Sequence, residues 1–207
     1  MPGVPAEFTR AAALRGGAAL LFTGAGLAAL APPAGATPPD STMGALPAGD
    51  LAYVRLLIAL ELLSIDFYGH ALAAGQLDRA GARHARLAHA NERDHYAFLA
   101  RVLVASGGVP LTAADIDFSY PSGAFASASA LLDLTITLET LSLSSHLGGA
   151  GGVVMPALSG SLAQIAANEA QHRGAFAPAA KATLFEDAFP APFTMEEASN
   201  ALDAYTS

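Results

Sequence analysis

Two short segments of this chain occur twice. Ile58-Ala-Leu-Glu61-Leu-Leu-Ser64 returns as Ile136-Thr-Leu-Glu139-Thr-Leu-Ser142, and Ala90-Asn91-Glu92-Arg-Asp-His95 returns as Ala167-Asn168-Glu169-Ala-Gln-His172. The offsets agree: Glu61 to Glu139 is 78 residues, Glu92 to Glu169 is 77, and the two glutamates within each half lie 31 and 30 residues apart. A Glu and a His three positions apart leave a helix on the same side, so each ExxH segment can hold one metal ion with its imidazole and reach a second with its carboxylate. Together with the lone glutamates, the metal-ligand candidates are Glu61, Glu92, His95, Glu139, Glu169 and His172. Cysteine is absent, which leaves imidazole and carboxylate as the ligand chemistry and points to hard or borderline ions. In a chain with eight Glu and six His, chance supplies about a quarter of one ExxH pair, so the specificity lies in the repetition in duplicate surroundings. The competing reading is a metal-free hydrogen-bonded network with some carboxylates protonated, yet the only close cations to neutralise it are Arg93 and Arg173.

Placing these residues requires four helices. Asp50 stands where an N-cap belongs, and Val54, Leu57, Ile58, Glu61, Ile65, Tyr68 and Leu72 form one stripe at helical spacing, giving a first helix over about 51–74 with Gly75 as its stop. A second runs over about 77–106 to Gly107-Gly108 and, after so short a turn, lies antiparallel to the first. Residues 107 to about 126, with Pro110, Pro121 and Gly123 and no strong period, read as a long crossover. A third helix covers about 127–147, ending at Gly148-Gly149, and a fourth about 156–181, with Pro156 tolerated in its first turn. Thr194-Met-Glu-Glu197 is a capping-box pattern opening a short last helix that ends near Tyr205 and packs across the bundle. The fold class is therefore all-α: a four-helix bundle with a long crossover between helices 2 and 3 and a short C-terminal helix.

Composition limits the partners. Of 207 residues 53% are hydrophobic and 14% charged, and the formal charge of -8 with no basic cluster argues against nucleic acid. Residues 1–36 read as an export signal, with Arg10 and Arg15 flanking a short first region, an apolar run from Gly16 to Ala31 and a small-residue cleavage site at Ala34-Gly35-Ala36. If uncleaved, the segment is a membrane anchor, although the run is short of the ~20 residues a span needs. Residues 37–49 read as a linker and 50–207 as one domain, which places the protein in the periplasm or outside the cell.

From about residue 50 to 181 the order Glu, ExxH, long crossover, Glu, ExxH resembles the ferritin-like superfamily, and more narrowly its exported single-domain branch, whose plant relatives are called desiccation-related. The resemblance implies a carboxylate-bridged pair of metal ions, two iron ions or alternatively manganese, with dioxygen or peroxide as the small-molecule partner. Asn91 and Asn168 each precede an ExxH glutamate and are placed to accept the spare N–H of an imidazole from the opposite half. Ser64 and Ser142 keep the metal-facing side small, for water or dioxygen or for tight helix packing. Tyr68 and His146 share the position seven residues after a lone glutamate. Tyr68 is the catalytic candidate, by hydrogen-bonding a ligating carboxylate or donating an electron; His146 is an extra ligand or a core histidine. His89 is a candidate for an access path, His70 and His84 for helix surfaces, and Asp66 and Asp94 for solvated faces. Two functions stand at this point: a di-metal oxidoreductase that oxidises Fe(II) or consumes peroxide (the manganese form being catalase-like), or a non-catalytic protectant or partner-binding bundle. A homodimer is compatible with either.

Overall fold

The computed structural model describes residues 44–183 and 188–206, so the segment read as an export signal and most of the stretch read as a linker lie outside the described residues. The elements in order are α1 (Ala48–Ala74), α2 (Arg79–Ala105), a 3-10 turn (Ala113–Asp115), α3 (Ala128–Gly152), α4 (Pro156–Ala180) and α5 (Met195–Asp203). α1 packs along α2 and α3 along α4; the two pairs meet through α1 against α3 and α2 against α4, and α5 lies against α3 and α1. No helix among the described residues is long and apolar enough to cross a membrane.

Local chemistry sets the helix ends. α1 stops at Gly75, whose φ of 65° is left-handed and suited to glycine. Three residues on, Asp78 caps α2 by accepting the Gly81 N–H at 2.7 Å, so the turn is short and the two helices are antiparallel neighbours. Ser127 caps α3 through Ala130, and Thr194 and Glu197 form the reciprocal capping box of α5. α1 is buried almost all round its middle turns, Leu57 to Ser64 without a break, because it faces α2, α3 and α5 together.

Two boundaries differ from the sequence reading. α1 begins at Ala48 after Pro47, and Asp50 is not its N-cap. The Asp50 carboxylate is buried and accepts the backbone N–H groups of Val154 at 2.9 Å and Met155 at 3.0 Å, at the entrance to α4. α3 continues past Gly148-Gly149 to Gly152. These glycines are close contacts inside a helix rather than stops: a Cβ on Gly148 would meet the Phe193 carbonyl, and one on Gly152 the Tyr53 hydroxyl. The crossover is fastened on both sides. Tyr96 donates to the Leu111 carbonyl, Tyr120 donates to Asp66 at 2.8 Å, and the Ser119 N–H donates to the Tyr205 carbonyl beside the isolated bridge Phe118–Thr206. Asp66 is thus half-buried and engaged, whereas Asp94 is exposed.

Candidate metal centre

Each bundle helix brings one carboxylate to the same interior point: Glu61 from α1, Glu92 from α2, Glu139 from α3 and Glu169 from α4. α2 and α4 add His95 and His172. Within each ExxH turn the imidazole Nδ1 lies beside its own glutamate, 3.1 Å from Glu92 Oε2 for His95 and 3.3 Å from Glu169 Oε2 for His172. Each imidazole also reaches across. His95 Nδ1 is 3.1 Å from Glu169 Oε1 and 3.6 Å from Glu61 Oε2; His172 Nδ1 is 3.0 Å from Glu92 Oε1 and 3.5 Å from Glu139 Oε2. The result is two four-residue groups, Glu61, Glu92, His95, Glu169 and Glu92, Glu139, Glu169, His172, each with one ligand atom per residue and all such atoms within 4.8 Å of one another. Glu92 and Glu169 belong to both, as carboxylates bridging two ions do.

Bulk solvent hardly reaches these carboxylates. Glu61, Glu92 and Glu169 have no exposed surface and Glu139 has 3%. Both oxygens of Glu61, Glu92 Oε1, Glu139 Oε2 and Glu169 Oε1 are buried with no hydrogen-bond donor. A buried carboxylate oxygen without a donor is costly, and a cation is what such an oxygen accepts in place of one. Arg93 is exposed and Arg173 donates to Thr140 at 3.1 Å; among the described residues neither pairs with the cluster. Two divalent ions would balance four ionised carboxylates. The donor set therefore fits a pair of metal ions.

Without ions the cluster balances itself by moving protons. Burial, joined by the charge of Glu169, pushes Glu92 well above the usual carboxylate range, and burial raises Glu139 to about 7 against the pull of His172. Burial would raise Glu169 and Glu61 as well, but the imidazoles beside them prevail and hold both below the ordinary value. Burial would lower His172 and His95; the surrounding carboxylates override it, lifting His172 to about 12 and His95 higher still.

The residues around this core divide unevenly. Tyr68 donates a hydrogen bond to Glu139 Oε1, reaching from α1 to the other half. Burial and the Glu139 and Glu92 charges keep its phenol protonated far past the ordinary range, so it acts as a donor. His146, its counterpart on α3, reaches the opposite way, with Nε2 3.1 Å from Glu61 Oε1. The Asn91 amide nitrogen Nδ2 lies 2.9 Å from His172 Nε2, across the halves, so the amide meets the ring edge turned away from the carboxylates. Asn168 is half-buried and, among the described residues, forms no such bond. Ser64 and Ser142 are buried, and Ser142 Oγ sits 3.3 Å from His146 Nδ1. His70 is exposed, His84 is half-buried edge-on to Phe176, and His89 is half-buried one turn from Glu92. The exchange of Tyr68 and His146 between halves goes beyond the sequence reading, although their common 78-residue offset is its signal.

No curated protein matches this chain. A model of the ferritin-like domain matches residues 49–182, a span that takes in the whole cluster and nearly all of the four long helices. The chain belongs to the ferritin-like family.

Proposed function

We propose that this is an exported ferritin-like protein whose bundle core holds a carboxylate-bridged pair of iron ions and uses it to oxidise Fe(II) or consume peroxide or dioxygen in a protective role. The observation that supports the reading is the set of buried carboxylate oxygens without donors, arranged as two four-ligand groups with Glu92 and Glu169 in common. A bound iron pair supplies the electrons for reducing dioxygen or peroxide.

The protein's own part is position and protons. Glu92 and Glu169 set the spacing of the two positions, while Glu61 and Glu139 close the ends. Tyr68 holds Glu139 by its Oε1 and leaves Oε2 facing His172. Asn91 holds the ring plane of His172. The protons displaced from Glu92, Glu139 and the imidazoles when ions enter are available at the site. The apolar packing of Tyr68 on Phe67 and Phe176 excludes bulk water on that side. Export rests on the reading of residues 1–36.

Metal analysis by mass spectrometry tests this on protein expressed with its N-terminal segment, beside the Glu92→Ala/Glu169→Ala double variant. About two iron ions per chain, absent from the variant, is the expected result. Two manganese ions would transfer the chemistry to a catalase-like reaction. No metal after both are supplied would leave a metal-free protectant bundle.

A further inference from the structure

Resting on the metal reading above, we infer that His146 is itself a metal ligand, donating Nε2 to an ion it shares with Glu61, and that the Glu61 end of the site is consequently the tighter of the two.

His146 has no exposed surface. Its Nδ1 lies 3.0 Å from the Ser142 carbonyl oxygen, one turn back on α3. A carbonyl only accepts, so the ring N–H is on Nδ1 and a neutral ring turns the lone pair of Nε2 outward. That lone pair faces Glu61 Oε1 at 3.1 Å, yet neither atom has a hydrogen-bond partner. Two acceptors held together in a dry interior call for a cation between them. The spacing suits one: adjacent ligands of an octahedral ion with ~2.1 Å bonds are about 3.0 Å apart. The backbone hydrogen bond at Nδ1 is also the kind of contact that orients a ligating imidazole.

The other end is built differently. Glu139 gives Oε1 to Tyr68 and keeps only Oε2 without a donor, whereas both oxygens of Glu61 are free of donors. Glu61 with His146 thus offers up to three donor atoms where Glu139 offers one. His146 stands outside the two four-residue groups and is joined to them through Glu61.

Calorimetric titration of the metal-free full chain with Mn(II), together with a crystal structure of the Mn(II)-loaded protein, tests this. Unequal binding steps are expected, the tighter weakened at least tenfold in His146→Gln, and an ion about 2.2 Å from His146 Nε2 in the unaltered protein. Binding steps alike with and without His146, or an ion beyond 3 Å of Nε2, overturn the inference alone. If His146→Gln does not fold, the loaded structure of the unaltered chain decides. No Mn(II) bound by the unaltered chain overturns the metal reading and this inference with it.

Discussion

The α1–α2 half and the α3–α4 half present the same three side chains to the centre of the bundle and different ones immediately behind them. Glu61, Glu92 and His95 correspond to Glu139, Glu169 and His172, but the residue bracing the opposite lone glutamate is a tyrosine in one half and a histidine in the other. Asn91 reaches across to an imidazole and Asn168 does not. The difference teaches that a repeated ligand frame can carry unlike surroundings at its two ends. A symmetrical frame fixes two ions at equal strength; an asymmetric surround lets one end hold and the other exchange.

The largest expected effect removes what the halves share. Because Glu92 and Glu169 serve both groups, Glu92→Ala/Glu169→Ala should abolish binding of both ions, read as metal per chain falling from about two to near zero. Loss of only one ion would mean that the carboxylates do not bridge.

Next in size is pH. Glu92, Glu139, His95 and His172 all have raised proton affinity in the metal-free fold, and ions must displace those protons. With about two protons lost per ion, affinity below pH 7 should rise by about a hundredfold per pH unit. Stability without metal runs the other way. The folded Glu139 value of about 7 exceeds its ordinary 4.5, so its contribution is complete below 4.5 and disappears as pH climbs to 7. The raised His172 extends that decline from 6.5 toward 12, whereas Glu61 and Glu169, held low, withdraw their contribution only as the solution becomes more acidic than 4.5. Melting curves of metal-free protein should fall from pH 5 to 8 while those of the loaded protein hold or rise. Parallel curves would mean the ions do not displace these protons.

A smaller effect should separate the halves. Asn91→Ala is expected to weaken metal binding by about ten- to a hundredfold, the usual cost of losing the partner of a ligating imidazole, while Asn168→Ala changes it by less than about twofold. Equal losses would show that Asn168 finds His95 once metal is bound.

Much of this was legible because the signals are local. Helical spacing, the capping box at Thr194 and the repeated ExxH segments each depend on residues close in the chain, and they predict the helix order and the meeting of six side chains. The sequence does not carry what depends on the other half. Gly148-Gly149 reads as a helix stop because a glycine pair destabilises an isolated helix, whereas the tail at Phe193 requires that bare surface. Nor can an Asn before an ExxH glutamate disclose whether an imidazole lies opposite: Asn91 meets His172 across the bundle and Asn168 has no such partner.

Asp50 makes the same point and gives the smallest expected effect. Its counterpart 78 residues on is Ala128, and the helix there is capped by its own neighbour Ser127. Asp50 instead spends both oxygens on the N–H groups of Val154 and Met155, closing the entrance to α4, where Pro156 has no N–H to offer and a negative charge meets the positive end of the helix. Asp50→Ala leaves those two donors without an acceptor in a half-buried place, a loss of about 2 kcal/mol that should lower the melting temperature by roughly 5 °C. Since Asp50 contacts none of the metal candidates, the ion count should stay at about two per chain. Asp50→Asn, which keeps one acceptor, should fall between. A drop in metal content as large as that of the glutamate variants would mean that the clasp between the halves sets the geometry of the site as well as holding α4 in place.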